Sequence, residues 1–441
     1  MFETMFVGRA RVRSHRSVRT VVTLALVALV SLASACGDRA RTSDAGAAPS
    51  ATPSSTASTV STAPVPPSAA NSVDVVSSAS PGWVVDAGPV LASGRIDGAK
   101  LRERHRARIS TDTSAVHVLT GGTPLELGQR ACEASIPKRD PSTPVLLKPN
   151  IGGFEWFKDP KTSGGDDGLV GRITQPELVR GVVRCLKARG HTRITIAEGW
   201  GATHADWKRL VRASGYEAMA KEEGVPLVAM DDDGVFDVEG DKPGQPLAVS
   251  GMEKTGVPTL LVPRILAEHL DHGLFVSIPK LKAHRFGVVS VSLKGMQGTV
   301  MLSDASPAFH QKWRTHRELS AALKSGSRPE YVRSLETFAE RMIDVLEISA
   351  PDAVIADGAP SIGGDGFSKQ WPSSDSIVVG GTNPVLVDRV AAEVLGLWDS
   401  DALAKELLGH RTSPLIEAGA KRFGLDVARP KLDGDGAALL A

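Results

Sequence analysis

The sequence predicts an α/β domain with a largely parallel sheet and flanking helices. Two observations predict this fold class. Short apolar runs alternate with helical patterns along most of the chain after residue 143, which is typical of strand–helix–strand units. Polar residues also follow the ends of the apolar runs, as they do in parallel sheets that bind ligands. The pattern leaves open whether the elements form one lobe or two lobes with a cleft between them.

The predicted elements follow one another in a regular order. The predicted strands are 144–147, 193–197, 226–230, 274–278, 288–293, 353–356 and 376–379, and the predicted helices are 174–190, 206–224, 335–346 and 385–395. Thr174 and Glu177 have the spacing of a capping box at the start of the first helix. Gly215 predicts a break in the second helix, and residues 361–366 predict a Gly-rich loop.

The beginning of the chain predicts export from the cytoplasm. Residues 1–35 contain an Arg-rich start and an apolar run of signal-peptide length, followed directly by Cys36. This arrangement resembles a bacterial lipoprotein signal, so we expect Cys36 to become the acylated first residue of the mature protein. The alternative is a cleaved secretory signal with an incidental Cys. Gly37 after the Cys favours the outer membrane over the inner membrane by resemblance to the sorting rule.

A tether separates this signal from the folded domain. Residues 36–80 are mostly Ser, Thr, Ala, Pro and Val, a composition that cannot bury a core. Residues 81–441 are left for the α/β domain. The net charge of +1 gives no general attraction to nucleic acid, so we expect no nucleic-acid partner. We expect a cell-envelope protein that contacts the membrane through its lipid anchor, with the folded domain outside the cytoplasm.

The two remaining cysteines argue against a metal–thiolate site. Cys132 and Cys185 are not part of a C-x-x-C pattern, so we expect no iron–sulfur cluster. Each lies in a helical pattern, where a Cys is usually a small core residue. A disulfide between them is open as an alternative in an oxidising compartment.

The segment at residues 273–298, GLFVSIPKLKAHRFGVVSVSLKGMQG, carries the clearest functional signal. Lys280, Lys282 and His284 occupy alternate positions after a buried strand, so an extended chain would place them on one side. Lys294 follows a second β-rich run. These residues predict a site for a small anion, and the alternative is a solvated strand end with ordinary surface lysines.

Other polar residues are expected at the same edge of the sheet, because the carboxyl ends of parallel strands meet there. The polar residues that follow predicted strands are Lys148, Asn150, Glu198, His204, Lys280, Lys282, His284, Asp357 and Asp365. We expect five of them to bind the substrate, namely Lys148, Asn150, Lys280, Lys282 and Asp365.

Several motifs resemble one known family. IPKLKAH, SLKGMQG and DGAPSIGGDG, together with LLKPN and ITQPELV nearer the start, resemble the bacterial and archaeal family called domain of unknown function 362, over about residues 143–396. Many members of that family carry ferredoxin-like cysteine clusters, and this chain has none, which argues against an electron-transfer role. The family name implies no reaction.

A more distant resemblance implies a chemistry. The order Gly201-Ala202-Thr203-His204, His284, Lys294 and His310 is similar to that in the nickel-pincer lactate racemase family. The resemblance implies that His204 and His284 act as acid and base on a 2-hydroxy acid, that Lys294 tethers a pyridinium pincer nucleotide and that His310 ligates nickel. It leaves nickel or another divalent metal open as a cofactor.

These observations lead to two functional hypotheses. The first is an enzyme that transfers a proton on a small carboxylate or phosphate compound, as a racemase or isomerase does. Lysines would hold the anion, and His284 with His204 would exchange the proton because imidazole titrates near neutrality. The second is a non-catalytic solute-binding lipoprotein that uses the same cleft.

Overall fold

Fifteen strands and twelve α-helices occur in the part of the chain that the structure describes. The structure is a computed structural model, and it describes residues 91–92, 95–152, 172–199, 204–230, 246–300, 317–366 and 370–440. The strands are β1 (Leu91–Ala92), β2 (Arg95–Ile96), β3 (Val116–Thr120), β4 (Val145–Pro149), β5 (Ile194–Glu198), β6 (Leu227–Ala229), β7 (Pro246–Val249), β8 (Leu261–Pro263), β9 (Leu274–Ile278), β10 (Lys280–His284), β11 (Val288–Ser290), β12 (Ala353–Gly364), β13 (Gln370–Pro372), β14 (Ile377–Gly381) and β15 (Leu432–Asp433). The helices are α1 (Gly98–Thr111), α2 (Pro124–Ser135), α3 (Pro176–Ala188), α4 (His204–Ala213), α5 (Tyr216–Glu223), α6 (Arg264–His272), α7 (Ser292–Gly295), α8 (Arg317–Ser325), α9 (Arg328–Ser349), α10 (Pro384–Val394), α11 (Asp401–Glu406) and α12 (Pro414–Phe423).

The main sheet has eleven strands in the order β15-β3-β14-β12-β9-β4-β5-β6, with β10 and β13 paired to β12 and β11 paired to β10. Its central strands β12, β9, β4, β5 and β6 are all parallel. Antiparallel pairing occurs where β14 joins β12 and β3. A second sheet, β1-β2-β7-β8, has four strands. The predicted α/β class with a largely parallel sheet and flanking helices is confirmed.

Both faces of the main sheet are buried. Successive residues of a strand point to opposite faces, so one strand can contribute to the packing on both sides. In β4, Val145 and Leu147 belong to one hydrophobic cluster and Leu146 belongs to another. Residues of α2, α3 and α4 join the first cluster, and residues of α9, α10 and the four-stranded sheet join the second. All described residues lie in one compact unit, Trp83–Ala441, so two lobes are not found among them.

Three local predictions were wrong. Helix α3 starts after Gln175, which makes no side-chain cap, because the Thr174 hydroxyl donates to the carbonyl of Ile278 at 2.6 Å instead of capping the helix. The strand predicted at 288–293 ends at Ser290, and α7 follows it. The loop predicted at 361–366 is largely strand, because β12 extends to Gly364 by pairing with β13. The predicted break at Gly215 is confirmed, since this residue separates α4 from α5 in a left-handed conformation.

A disulfide between Cys132 and Cys185 joins α2 to α3, with the two Cα atoms 6.3 Å apart. The two helices approach closely because glycines face the contact. A Cβ atom added to Gly128 would lie 2.1 Å from the carbonyl oxygen of Leu178, and one added to Gly181 would lie 2.1 Å from that of Leu125. The pairing that the sequence left open is therefore present in the structure.

No described helix is both long enough and apolar enough to cross a lipid bilayer. Cys36 and the predictions for residues 1–80 lie outside the described residues.

We predict that the disulfide contributes substantially to stability. It closes a loop with a sequence separation of 53 residues, and in the chain-entropy account a loop of this size corresponds to about 4 kcal/mol. Dithiothreitol should therefore lower the urea midpoint of the oxidised protein. The double variant Cys132→Ala/Cys185→Ala is the control and should not respond to reductant. An equal midpoint with and without dithiothreitol in the parent protein would contradict the prediction.

Candidate functional site

Polar side chains meet at the carboxyl ends of β4, β5 and β9, beside Asp357 within β12. The strand register explains this meeting, because Lys148 of β4 lies opposite Ser277 of β9 and Lys280 of β10 lies opposite Asp357 of β12. All four residues are buried. Lys148 and Ser277 are the next-to-last residues of β4 and β9, and Glu198 is the last residue of β5.

Lys280 and Asp357 form an ion pair that is fully removed from solvent. The Lys280 Nζ atom lies 2.9 Å from Asp357 Oδ2, and both side chains are 0% exposed. The same carboxylate accepts hydrogen bonds from the backbone N–H groups of Gln175 at 2.7 Å and Ala359 at 2.9 Å. Burial lowers the pKa of Lys280, and Asp357 acts in the opposite direction. This pair fixes the start of α3 against β10 and β12.

A second buried ion pair joins Lys148 of β4 to Glu198 of β5, with Nζ and Oε1 2.7 Å apart. Gly298, just after α7, packs directly on it. A Cβ atom added to Gly298 would lie 2.3 Å from Glu198 Oε1 and 2.7 Å from Lys148 Nζ. A Cβ atom added to Gly199 would lie 2.0 Å from the carbonyl oxygen of Gly298. Only glycine fits at both positions, because any side chain would push these segments apart.

Lys282 has a different environment from the two paired lysines. Its side chain is buried, and Nζ donates a hydrogen bond to the carbonyl oxygen of Arg172 at 2.8 Å. The side-chain amide of Asn150 donates to the same oxygen at 3.0 Å. Burial lowers the pKa of Lys282 to about 7, with further lowering by the positive charges of Lys294, Arg172 and Lys280, against a raising effect of Glu198. This amine therefore loses its proton near neutral pH.

Lys294 lies on α7 and approaches the turn between β10 and β11. A Cβ atom added to Gly287 in that turn would lie 3.3 Å from Cδ of Lys294. The Lys294 ammonium is 3.4 Å from Oε1 of the buried Gln297, a long hydrogen bond. Together with its effect on the pKa of Lys282, this places Lys294 in the same cluster of polar residues as Lys282.

His284 is buried and its ring is held by the backbone. Its Nδ1 atom accepts a hydrogen bond from the N–H of Phe286 at 2.9 Å, so the proton of the neutral ring is on Nε2. A Cβ atom added to Gly366 would lie 2.5 Å from the ring Cδ2 atom. The carbonyl of Asp365 accepts from the N–H of Arg285 at 3.0 Å, which places Asp365 beside this histidine. In this geometry His284 offers a donor and not a base.

The structure brings together most of the residues that the sequence predicted for this edge. Lys148, Asn150, Lys280, Lys282 and Lys294 are linked by shared partners or by mutual electrostatic effects. His284 and Asp365 lie at the end of β10, next to the turn that Lys294 approaches.

The side chains of two predicted site residues lie outside the described part of the chain. His204 is the first residue of α4, and its side chain is outside the described part. His310 belongs to residues 301–316, which are also outside it. Within the described residues, no group of three or more His, Cys, Asp or Glu side chains could hold a metal ion.

Several residues of the cluster had no signal in the sequence. Arg172 supplies the carbonyl that Lys282 and Asn150 share. Tyr216 of α5 donates its hydroxyl to the carbonyl of Thr174 at 2.9 Å. Burial raises the pKa of Tyr216 well above its usual range, and the nearby carboxylates of Asp357 and Glu198 add to this effect. The local sequence could not have indicated these contacts, because each depends on a partner far away in the chain.

We predict that Gly298→Ala disrupts the Lys148–Glu198 pair. The added methyl group would overlap both partners, and separating a buried ion pair costs about 3–5 kcal/mol when one charge is left uncompensated. The matched control is Gly295→Ala, because a Cβ atom there would meet only Ser277 Oγ at 4.0 Å. Urea unfolding should show a large loss of stability for Gly298→Ala and little change for the control. Equal stability of the two variants would contradict the packing described for Gly298.

Comparison with known proteins identifies the family. A family model described as "Domain of unknown function (DUF362)" matches residues 145–393. No curated protein and no solved structure matches the chain. The matched segment begins with β4, ends in α10 and contains every residue of the cluster described above. It covers more than half of the 441 residues, and the chain therefore belongs to the DUF362 family.

Proposed function

We propose that this chain is a lipid-anchored, extracytoplasmic protein that binds a small carboxylate or phosphate anion beside Lys282. The environment of Lys282 carries the proposal. Its ammonium is buried and donates to a single carbonyl among the described residues, and the charges that act on its pKa are those of Lys294, Arg172, Lys280 and Glu198. Burying a positive charge among other positive charges is costly. An anion bound there would offset this cost.

The cluster divides into supporting and binding residues. Lys148 and Lys280 are each neutralised by a buried carboxylate, so we assign them to positioning the strand ends and shaping the local field. Lys282 and Lys294 would contact the anion, with Asn150 and Asp365 at its border. His284 would donate a hydrogen bond from Nε2, since Nδ1 is occupied by the Phe286 N–H.

One observation supports a second candidate function, proton transfer on the bound anion. Lys282 has a pKa of about 7, and a group that titrates near the working pH is an efficient acid or base. Lys282 would then take the role that the sequence suggested for His284. Incubation with lactate in D2O tests this candidate, because proton transfer would exchange the hydrogen on carbon 2 and simple binding would not. Of the four residues to which the racemase resemblance assigns roles, only His284 and Lys294 have described side chains. The proposed function therefore includes no step through nickel or a pincer nucleotide.

The disulfide supports the proposed location outside the cytoplasm. Disulfides form and persist in oxidising compartments such as the periplasm, whereas cytosolic thiols are kept reduced. The Cys132–Cys185 bond uses the two cysteines of the chain that are not at the proposed lipidation position. Cys36 would then remain for acylation, with residues 37–80 as the spacer.

We predict that Lys282→Met abolishes anion binding without destabilising the fold. Lactate and inorganic phosphate are the probes, and isothermal titration calorimetry measures their affinity. Because a buried ammonium carries a desolvation cost that an apolar side chain of similar length does not, the thermal unfolding midpoint should not fall. Lys254→Met, which removes an exposed lysine outside the cluster, is the matched control and should bind like the parent. Unchanged affinity in Lys282→Met, or no binding by the parent, would refute the proposed site.

We predict that lactate affinity falls as the pH rises above about 7. The free protein loses the Lys282 proton near this pH, whereas a bound anion favours the ammonium, so binding above the pKa must be accompanied by proton uptake. Each pH unit above the pKa should weaken binding by up to a factor of about 10. Lactate suits this test because carboxylic acids with a pKa near 4 stay ionised throughout the range. A flat profile between pH 6 and about 9 would contradict the role of Lys282.

We predict that Cys36→Ser releases the protein from the membrane fraction. The thiol of Cys36 is the proposed acylation site, and Ser cannot form the thioether. Fractionation of cells followed by immunoblotting would measure the distribution, and Cys132→Ala/Cys185→Ala serves as a control that leaves Cys36 in place. Full membrane retention of Cys36→Ser would contradict the proposed lipid anchor.

A further inference from the structure

Helix α7, which carries Lys294, depends on a residue from a distant part of the chain. The helix has only four residues, and its N-cap Val291 provides no side-chain cap. The first backbone N–H groups of such a helix need acceptors from elsewhere. Here the N–H of Ser292 donates to Asp388 Oδ1 at 2.8 Å, and the N–H of Leu293 donates to Oδ2 at 3.0 Å. Both oxygens of this carboxyl group therefore hold the start of α7.

Asp388 is an unusual residue for the interior of α10. Its side chain is 1% exposed. Burial raises the pKa of this carboxyl to about 8, while the two N–H groups act in the opposite direction. A carboxyl in this position carries a desolvation cost that an apolar residue would avoid. The hydrogen bonds from Ser292 and Leu293 offset part of this cost and fix the position of α7.

The position of α7 determines where Lys294 lies. The side chain of Lys294 passes close to Gly287 in the β10–β11 turn. That turn is held from another side, because the Ser413 hydroxyl donates to the carbonyl of Gly287 at 2.6 Å. Two fixed segments thus confine Lys294 to the neighbourhood of Lys282.

We propose that Asp388 is a positioning residue that orders α7 and thereby holds Lys294 beside Lys282. The role in anion binding rests on the proposed function, whereas the positioning itself does not. Without these two carboxyl oxygens, α7 loses acceptors for its first turn and Lys294 moves away from the cluster. The charge environment of Lys282 is then altered from a distance, although Asp388 touches neither lysine directly in any described contact.

The ionisation of Lys282 provides a readout that loss of stability alone would not change. The charges that act on it are those of Lys294, Arg172, Lys280 and Glu198, and Lys294 has the largest effect among them. Moving Lys294 away should therefore raise the pH at which Lys282 loses its proton. One like charge removed from the vicinity should shift this midpoint by about one pH unit.

The experiment is a double-mutant cycle on the full protein without ligand. NMR titration of the 13Cε signals of lysine gives the midpoint of Lys282, with the signal assigned by its absence in Lys282→Met. Asp388→Asn keeps the size of the side chain but places an amide NH2 group against the backbone N–H donors. We expect Asp388→Asn and Lys294→Met each to raise the midpoint, and the combined variant to titrate like Lys294→Met alone. Val387→Ala is the control in the same helix, since Val387 packs towards Gly381 of β14, and it should lower stability without shifting the midpoint.

Two results would overturn the proposal. One is an unchanged Lys282 midpoint in folded Asp388→Asn. The other is a shift of equal size when Asp388→Asn is added to Lys294→Met, because the effect would then not pass through Lys294. If Asp388→Asn does not fold, Asp388→Ser, which keeps one acceptor oxygen, enters the same cycle. Lactate titration of each variant is run in parallel, so absence of anion binding in the parent protein would refute the proposed function while the cycle still decides the role of Asp388.

Discussion

The buried Lys280–Asp357 pair is the interaction on which the edge of the sheet depends. One carboxylate receives an ammonium and two backbone N–H groups, and these donors come from β10, from the residue before α3 and from β12 itself. Removing one partner would leave a buried charge without compensation, at a cost of about 3–5 kcal/mol. The relative positions of these elements are therefore fixed by electrostatics as well as by apolar packing. The other polar groups of the cluster lie on these elements or on strands next to them.

Residues of one type have different roles at this edge because their surroundings differ. Lys148 and Lys280 each have a carboxylate at ion-pair distance, so each pair is close to neutral. Lys282 belongs to the same cluster but donates to a backbone carbonyl, which carries only a partial charge. Three lysines that all follow predicted strands therefore become two structural ion pairs and one amine whose charge responds to pH and, under the proposed function, to ligands.

The sequence predicted the fold class, the central strands and the gathering of lysines, because these depend on local periodicity and on the polarity of strand ends. It did not predict α7, since SVSLKG reads as a continuing strand until Asp388 accepts the N–H groups of Ser292 and Leu293. It also predicted that Thr174 caps α3, whereas the Thr174 hydroxyl donates to the carbonyl of Ile278. In both cases a partner about 100 residues away decides the local structure. Single-sequence patterns contain no information about such partners.

The geometry of His284 completes the electrostatic account of the cluster. Because Nδ1 accepts the N–H of Phe286, the proton of the neutral ring lies on Nε2. Protonation at Nδ1 would break that bond and add a positive charge at the end of a strand that already carries Lys280 and Lys282. The backbone bond therefore leaves Nε2 as the donor of the neutral ring. An ammonium at Lys282 and an N–H at His284 are both hydrogen-bond donors, and such donors suit a small oxyanion better than a cation or a neutral apolar ligand.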